Sequence, residues 1–374
     1  MDLKKRRFAA IVGTGILSLV VLIAASIFGG QIRLDDRMLI QGVGVDVQGD
    51  EVLVSVHISQ PVEQGEIQLQ QVRGTTVLEA LNKLVQKSGK TPLYSHNMVV
   101  VFGKSCGEDG LEKFLDFFVR YYEARPSVHL FMAQGEAREV FELQKDGKYT
   151  DTEDLARIAH SGDANGWTVN TRVIDFVNQL KGEGSSPYLP ILAVEEEDVQ
   201  AVGTALFQED RYCAELSPEE SRVLLLVTKY LSGGQLVVQM PQAGKVTMAF
   251  QSSQVSLESG IQEGVPVFTV KADCEMEISS MGVIGGSSEG EETFSQLEEA
   301  AEKQLKESIR QTLDKTLWEY QTDPFGFGRL LFQQQTHWWK QEGEHWKEWM
   351  QKVEFALEVE VRINRVEQEL SPLQ

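Results

Sequence analysis

Cysteine is nearly absent from this 374-residue chain: Cys106, Cys213 and Cys274 lie far apart and never form a CxxC pair. No disulfide framework and no cysteine-rich zinc site can be read from such spacing. Basic residues are short as well, 35 Lys and Arg against 56 Asp and Glu, for a formal charge of -21. A chain this acidic is repelled by phosphate backbones, which argues against nucleic acid as a partner. Catalytic signatures are few too, with no GxxxxGK[ST], HExxH or GxGxxG. With 42% hydrophobic and 24% charged residues, the chain is neither disordered nor a multi-span membrane protein, and its length allows two or three folded units.

What is present begins at the N-terminus. Lys4, Lys5, Arg6 and Arg7 precede an uncharged run from Phe8 to Ile32. As a helix this run spans roughly 37 Å, more than the ~30 Å hydrocarbon core, so it reads as a signal anchor with residues 1–32 as basic flank and membrane span. Ala24-Ala25-Ser26 is a weak candidate for a cleavage site. The basic flank belongs on the cytoplasmic side, which puts everything after Arg33 on the extracytoplasmic face.

Beyond the anchor, period-two alternation predicts strands over Met38–Val47 and Glu51–Ser59, with Val52, Val54, Val56 and Ile58 on one face and a turn at Gly49-Asp50. Thr76 to Glu79 is a capping-box pattern, predicting a helix that stops at Ser88-Gly89. A strand within Leu93–Phe102, a helix through Leu111, Phe114, Leu115, Phe118 and Tyr122, and a strand over Val128–Ala133 follow. Residues Asp151–Leu180 read as mostly helical. The Gly, Ser and Pro of Lys181–Pro190, the strand-like ILAV after it and the acidic Glu195–Asp198 place a domain boundary near residue 195, between units 33–195 and 196–374.

In the second unit Ala201–Phe207 reads as a strand. Ser217, Pro218 and Glu220 open a helix that runs toward Gly233-Gly234. Strands follow at Leu236–Met240, Val246–Phe250 and Val265–Met276, then a solvated loop over Gly285–Glu292. Phe294, Leu297, Ala301, Leu305, Ile309, Leu313 and Leu317 hold one apolar face for more than six turns, the longest helix in the chain. Val353, Phe355, Leu357, Val359, Val361 and Ile363 alternate with charged residues in a final strand. The fold class is α+β, mixed sheets with packed helices.

Each candidate for chemistry meets a plainer reading. Gly42 and Gly44 sit inside a strand pattern, where a strand glycine outweighs a phosphate loop. Ser95 and His96 are adjacent, and in an extended chain adjacent side chains point to opposite faces, so they form no dyad. His337, Glu344 and His345 are spaced too widely for compact ligation and lack a third partner. Five of six tryptophans fall in the final 60 residues, and Trp339, Trp346 and Trp349 at spacings of seven and three suggest core packing or a partner groove. Cys106 reads as a buried or free thiol. No catalytic, cofactor-binding or metal-binding residue is assigned.

Taken in order, LDDRMLIQGVGVD (Leu34–Asp46), LYSHNMVVVFG (Leu93–Gly103), AVGTALFQEDRYCAELSPEESR (Ala201–Arg222) and DPFGFG (Asp323–Gly328), with the leader and final strand, resemble the Ger(x)C family. These are the C subunits of nutrient germinant receptors in endospore-forming bacteria. The resemblance implies a non-enzymatic protein on the outer face of the spore inner membrane, beside an A subunit and a transporter-like B subunit. Family members are usually lipoproteins, whereas the first cysteine here is Cys106, so the helix Phe8–Ile32 is expected to replace the lipid. DPFGFG is expected to be a helix-breaking turn between two long helices, with its Phe residues in the core. A membrane-anchored solute-binding protein is the competing function; it requires a deep pocket with convergent polar groups. An anchored hydrolase, a third, requires a nucleophile or perturbed carboxylates in one cleft.

Overall fold

The computed structural model describes residues 13–20, 37–59, 67–121, 125–240, 244–281 and 291–364. Residues 13–20 form a helix, α1, with Ile16, Leu17, Leu19 and Val20 exposed. The remainder of the anchor expected over Phe8–Ile32 lies outside the described residues, as do Tyr122 and most of the Gly285–Glu292 tract. Among the described residues no helix is long and apolar enough to cross a membrane.

β1 (Arg37–Gln48) and β2 (Glu51–Ser59) form the expected hairpin, turning at Gly49 with φ of 65°. β3 (Ile67–Gly74), absent from the sequence reading, adds antiparallel to β2. α2 (Val77–Ser88) starts where Thr76 Oγ1 accepts from the Glu79 N–H at 3.1 Å and stops at Gly89, φ 65°. The Glu79 carboxylate reaches back past the cap to the Thr75 N–H, 2.8 Å, so the expected box is offset by one residue. The buried strand expected within Leu93–Phe102, on its apolar run Met98–Phe102, is β5 (Val99–Phe102); a short β4 (Thr91–Leu93) precedes it, separated by a 3-10 turn at Tyr94–His96, and both run parallel to β1.

α3 (Lys104–Asp109), α4 (Glu112–Arg120), β6 (His129–Ala133), α5 (Ala137–Glu142) and a small hairpin of β7 (Gln144–Lys145) and β8 (Lys148–Tyr149) come next. The helical stretch expected over 151–180 is two helices, α6 (Thr152–Asn165) and α7 (Val173–Lys181), because Gly166 takes a left-handed cap at φ 65°. β9 (Tyr188–Glu195), β10 (Asp198–Gln208) and β11 (Arg211–Leu216) complete a nine-stranded sheet, ordered β11-β10-β9-β6-β5-β1-β2-β3 with β4 beside β1.

β1, β5, β6 and β9 are its parallel centre, and helices cover both faces. Phe141, Leu155 and Ala159 of α5 and α6 pack on Val99, Val101 and Phe131, while α2, α4 and α7 cover Val100, Phe102 and Leu130. Gly42 and Gly44 are strand residues that let α5 and α6 approach: a Cβ on Gly42 would meet Thr152 at 2.6 Å and Phe141 at 2.9 Å.

α8 (Pro218–Val227) has the expected capping box between Ser217 and Glu220, but it ends at Thr228, short of Gly233. β12 (Gln235–Met240), β13 (Gly244–Gln262), β14 (Val265–Met281) and, after a helical stretch, β15 (Glu354–Ile363) form a four-stranded sheet in the order β12-β13-β14-β15. Between them α9 (Glu291–Leu313) is the longest of the described helices and widens into a π-helical turn at Asp314–Glu319. α9 secures both edge strands through side chains. Gln304 Nε2 donates to the Val237 carbonyl and Arg310 Nη2 to the Phe355 carbonyl, each at 2.8 Å. Glu298 and Glu302 accept from the Ile363 and Val361 N–H groups at 2.8 and 3.1 Å. Covering edges in this way blocks unwanted strand pairing.

The division near residue 195 falls at the β9–β10 turn. β10 and β11 lie beyond it yet complete the first sheet, and Leu206, Ala214 and Leu216 join one apolar cluster with α8, α9 and the second sheet. The two units therefore share core as well as chain.

Candidate functional site

Among the described residues, two places that concentrate polar groups stand out. The first is an open groove of about 690 Å³ between the β7–β8 hairpin, the start of α6 and the β9–β10 turn. Its charges are of both signs: Lys145, Lys148, Asp151, Asp154, Glu197 and Asp198. Lys145 Nζ stands 2.8 Å from Asp198 Oδ1 with both side chains exposed, and Asp151 accepts from the Glu153 N–H as the cap of α6. Exposed pairs of this kind are well solvated and hold a ligand weakly.

The second is buried, at the turn Asp323–Gly328. Asp323 is only 1% exposed, and its carboxylate accepts from the N–H groups of Gly326 (2.8 Å), Phe327 (3.1 Å) and Gly328 (2.7 Å) and from the Trp346 indole (3.3 Å). Burial pushes its pKa up to about 6, those four donors pulling the other way. The Asp323 backbone is clamped on both sides by Ser186: its N–H donates to Ser186 Oγ at 2.9 Å and its carbonyl accepts from the Ser186 N–H at 2.8 Å. The Arg329 N–H donates to the Gly184 carbonyl at 2.9 Å, and Trp339 Nε1 to Glu183 Oε2 at 2.8 Å.

Only glycine fits at the tightest point. Gly184 has φ of 64°, and a Cβ there would lie 2.3 Å from the Gly328 carbonyl carbon. Residues 183–186, which the sequence placed in an inter-domain loop, thus grip the DPFGFG turn of the other unit. Phe325 and Phe327 are buried as expected, but α10 (Phe327–Gln334) after the turn has only eight residues, so the turn does not join two long helices. The signal for this contact was two glycine-bearing loops, KGEGSS and DPFGFG; nothing in either says they meet.

Other ionisable groups are buried in and against the first sheet. His57 on β2 donates from Nε2 to the Phe141 carbonyl at 2.8 Å, its Nδ1 has no partner among the described residues, and burial lowers its pKa to about 4. Asp46 on β1 accepts from the Ala137 and Arg138 N–H groups at 2.6 and 2.8 Å, capping α5 from another element, with its pKa raised to about 6 by burial. Cys106 is buried against the Val45 carbonyl, and burial raises its pKa, the opposite of an activated thiol.

The residues tested in the sequence stay apart. Ser95 and His96 lie in the 3-10 turn, His96 exposed. His337 is on α11 (Thr336–Glu342), Glu344 and His345 are in the turn Gly343–His345, and all three are exposed. Among the described residues no three His, Cys, Asp or Glu side chains are placed to hold a metal ion. Trp339 and Trp346 fall on separate short helices, α11 and α12 (Trp346–Trp349), so they share no single helical face; they are buried with ring centroids 6.0 Å apart. These buried polar groups bond to the backbone of neighbouring elements and so hold those elements in place.

Comparison with known proteins covers nearly the whole chain. Residues 30–194 match the family described as spore germination protein N-terminal domain, and residues 202–367 match the one described as spore germination B3/GerAC like, C-terminal. Spore germination protein B3 of Bacillus subtilis (strain 168) is 24% identical over 299 residues, 78% of each chain. Spore germination protein GerQC of Bacillus cereus is 20% identical over 341 residues, 89% of this chain and 92% of that protein. Among solved structures the GerBC protein superposes with a TM-score of 0.61 at 20% identity, covering 86% of this chain and 96% of that one, so the two share a fold.

Proposed function

The chain belongs to the Ger(x)C family of spore germination proteins, and from that premise we propose that it is the C subunit of a nutrient germinant receptor, required for nutrient-triggered germination. The observation that carries the reading is the pair of family matches in tandem, 30–194 and 202–367. In this reading the protein is non-enzymatic and works by contact with an A subunit and a transporter-like B subunit. Residues 8–32 anchor it in the spore inner membrane, with the bulk of the chain on the outer face. Buried ionisable groups tied to the backbone of neighbouring elements, together with the open, solvated groove, support a scaffold over an enzyme or a solute trap.

The test is release of dipicolinic acid from spores lacking the gene, with nutrients compared against a trigger that bypasses receptors. Loss of the response to particular nutrients only, restored by the intact gene, is the expected result. An unimpaired response to every nutrient in a strain without other receptors, together with nutrient binding by the purified chain, would transfer the role to a solute-binding protein.

A further inference from the structure

α9 secures the edge strands β12 and β15 of the second sheet, but β13 runs on past the end of β12. β12 pairs with β13 over Gly244–Ala249 alone, while β14 pairs with β13 without interruption from Ser252 to Gln262. From Ser252 onward the β12 side of β13 is therefore an edge.

Residues two apart in a strand aim their backbone groups the same way. Ser259 shows which way: its N–H donates to Gln334 Oε1 and its carbonyl accepts from Gln335 Nε2, both at 2.8 Å, so it faces away from β14. Leu257, Val255 and Ser253 face outward with it. At the far end the Ser253 hydroxyl donates to the Leu231 carbonyl at 3.3 Å. Between these two ends the outward N–H and C=O groups of Val255 and Leu257 have no hydrogen-bond partner among the described residues. Residues 252–259 contain no Lys and no Pro, two of the devices that protect edges elsewhere.

The edge also has a chemical character. Val255 and Leu257 are half-buried on the core side, and Gln254, Ser256 and Glu258 are exposed on the other. On that outer face Glu275 stands opposite Ser252 and accepts from its hydroxyl at 3.1 Å, Asp273 opposite Gln254 has Arg362 at 4.0 Å, and Lys271 opposite Ser256 is paired with Glu358 at 3.1 Å. Neither Glu258 nor Glu275 forms an ion pair with a described residue. A visiting strand would bury apolar side chains on one face and meet negative charge on the other.

We propose that Ser253–Leu257 of β13 is a docking edge that pairs with an extended strand of another polypeptide, apolar on its inner face and bearing Lys or Arg on its outer face. The slot takes about five residues, roughly 17 Å of strand. It stands independently of the receptor reading, since it rests on edge geometry and charge alone.

The test is residue-resolved amide hydrogen exchange on the full chain in mild detergent, with and without an eight-residue peptide alternating Lys and Val. Saturating peptide is expected to slow exchange at Val255 and Leu257 by about tenfold or more, with a peptide alternating Glu and Val or one N-methylated on alternate residues giving no slowing. Val255→Pro should abolish the effect, because it removes only an outward donor and leaves the β14 ladder intact; Val255→Thr, which keeps the N–H, should retain it. Glu258→Lys should weaken it in a chain whose other amides exchange as before. Absence of slowing, or equal slowing by the N-methylated peptide, would overturn the proposal. So would protection without peptide that rises with protein concentration, which would assign the edge to a second copy.

Discussion

The two sheets of this molecule treat alternation differently. In β15 the odd residues from Phe355 to Ile363 face the core and the even ones face water, as the sequence reads. In β2 the same pattern, Val52, Val54, Val56 and Ile58, marks one buried face, but the intervening Leu53, Ser55 and His57 are buried too. The difference is the number of layers. The first sheet lies between helices on both faces, whereas the second has helices on one face and solvent on the other. Polar residues of β2 thus become buried polar groups that require partners, and His57 finds one in the Phe141 carbonyl.

The sharpest way to break the two units apart is at the clasp. Asp323→Ala would leave three N–H groups and one indole without an acceptor inside the protein, and we expect it to cost about 4 kcal/mol in urea denaturation, more than any other single change considered. Next comes pH, which should act on the first unit through His57. Its pKa is about 4 folded against 6.5 for an exposed imidazole, so between these the unfolded chain binds more protons and stability falls as pH drops from 6.5 toward 4. Replacing it with Gln should flatten that slope by up to about 3 kcal/mol, measured as the difference between variant and parent at pH 7 and pH 4.5. Asp46 and Asp323, with raised values, oppose His57 in the overlapping window: their folded forms hold protons that the unfolded chain releases, so they lose stability as pH rises through about 6.

Smaller effects should mark the second unit. Glu298→Ala removes the acceptor for the Ile363 N–H at a partly exposed edge and should cost about 1 kcal/mol, with self-association in light scattering as a second sign. Smallest of all, Lys145→Ala breaks the exposed pair with Asp198 and should change stability by no more than about 0.5 kcal/mol. A large effect there would mean the groove is a built site.

Elements with local signals were legible: the Ser217 cap, the Gly89 stop, the apolar stripe of α9 and the alternation of β15. β3 and β11 escaped because edge strands carry few apolar residues, and α3 because a six-residue helix with a glycine has no period to read. The α6–α7 break was invisible in a window where the apolar stripe of α7 dominated. The clasp was out of reach for a different reason. Asp323 and Ser186 are 137 positions apart, and a loop carries no pattern that names its distant partner.

That clasp and the shared core make a joined two-unit body the central structural claim. Equilibrium unfolding followed by tryptophan fluorescence, dominated by the cluster around Trp339 and Trp346, and by far-ultraviolet circular dichroism tests it directly. A single coincident transition in the parent chain, splitting into two in Asp323→Ala, is the predicted result. Two separate transitions in the parent would contradict it.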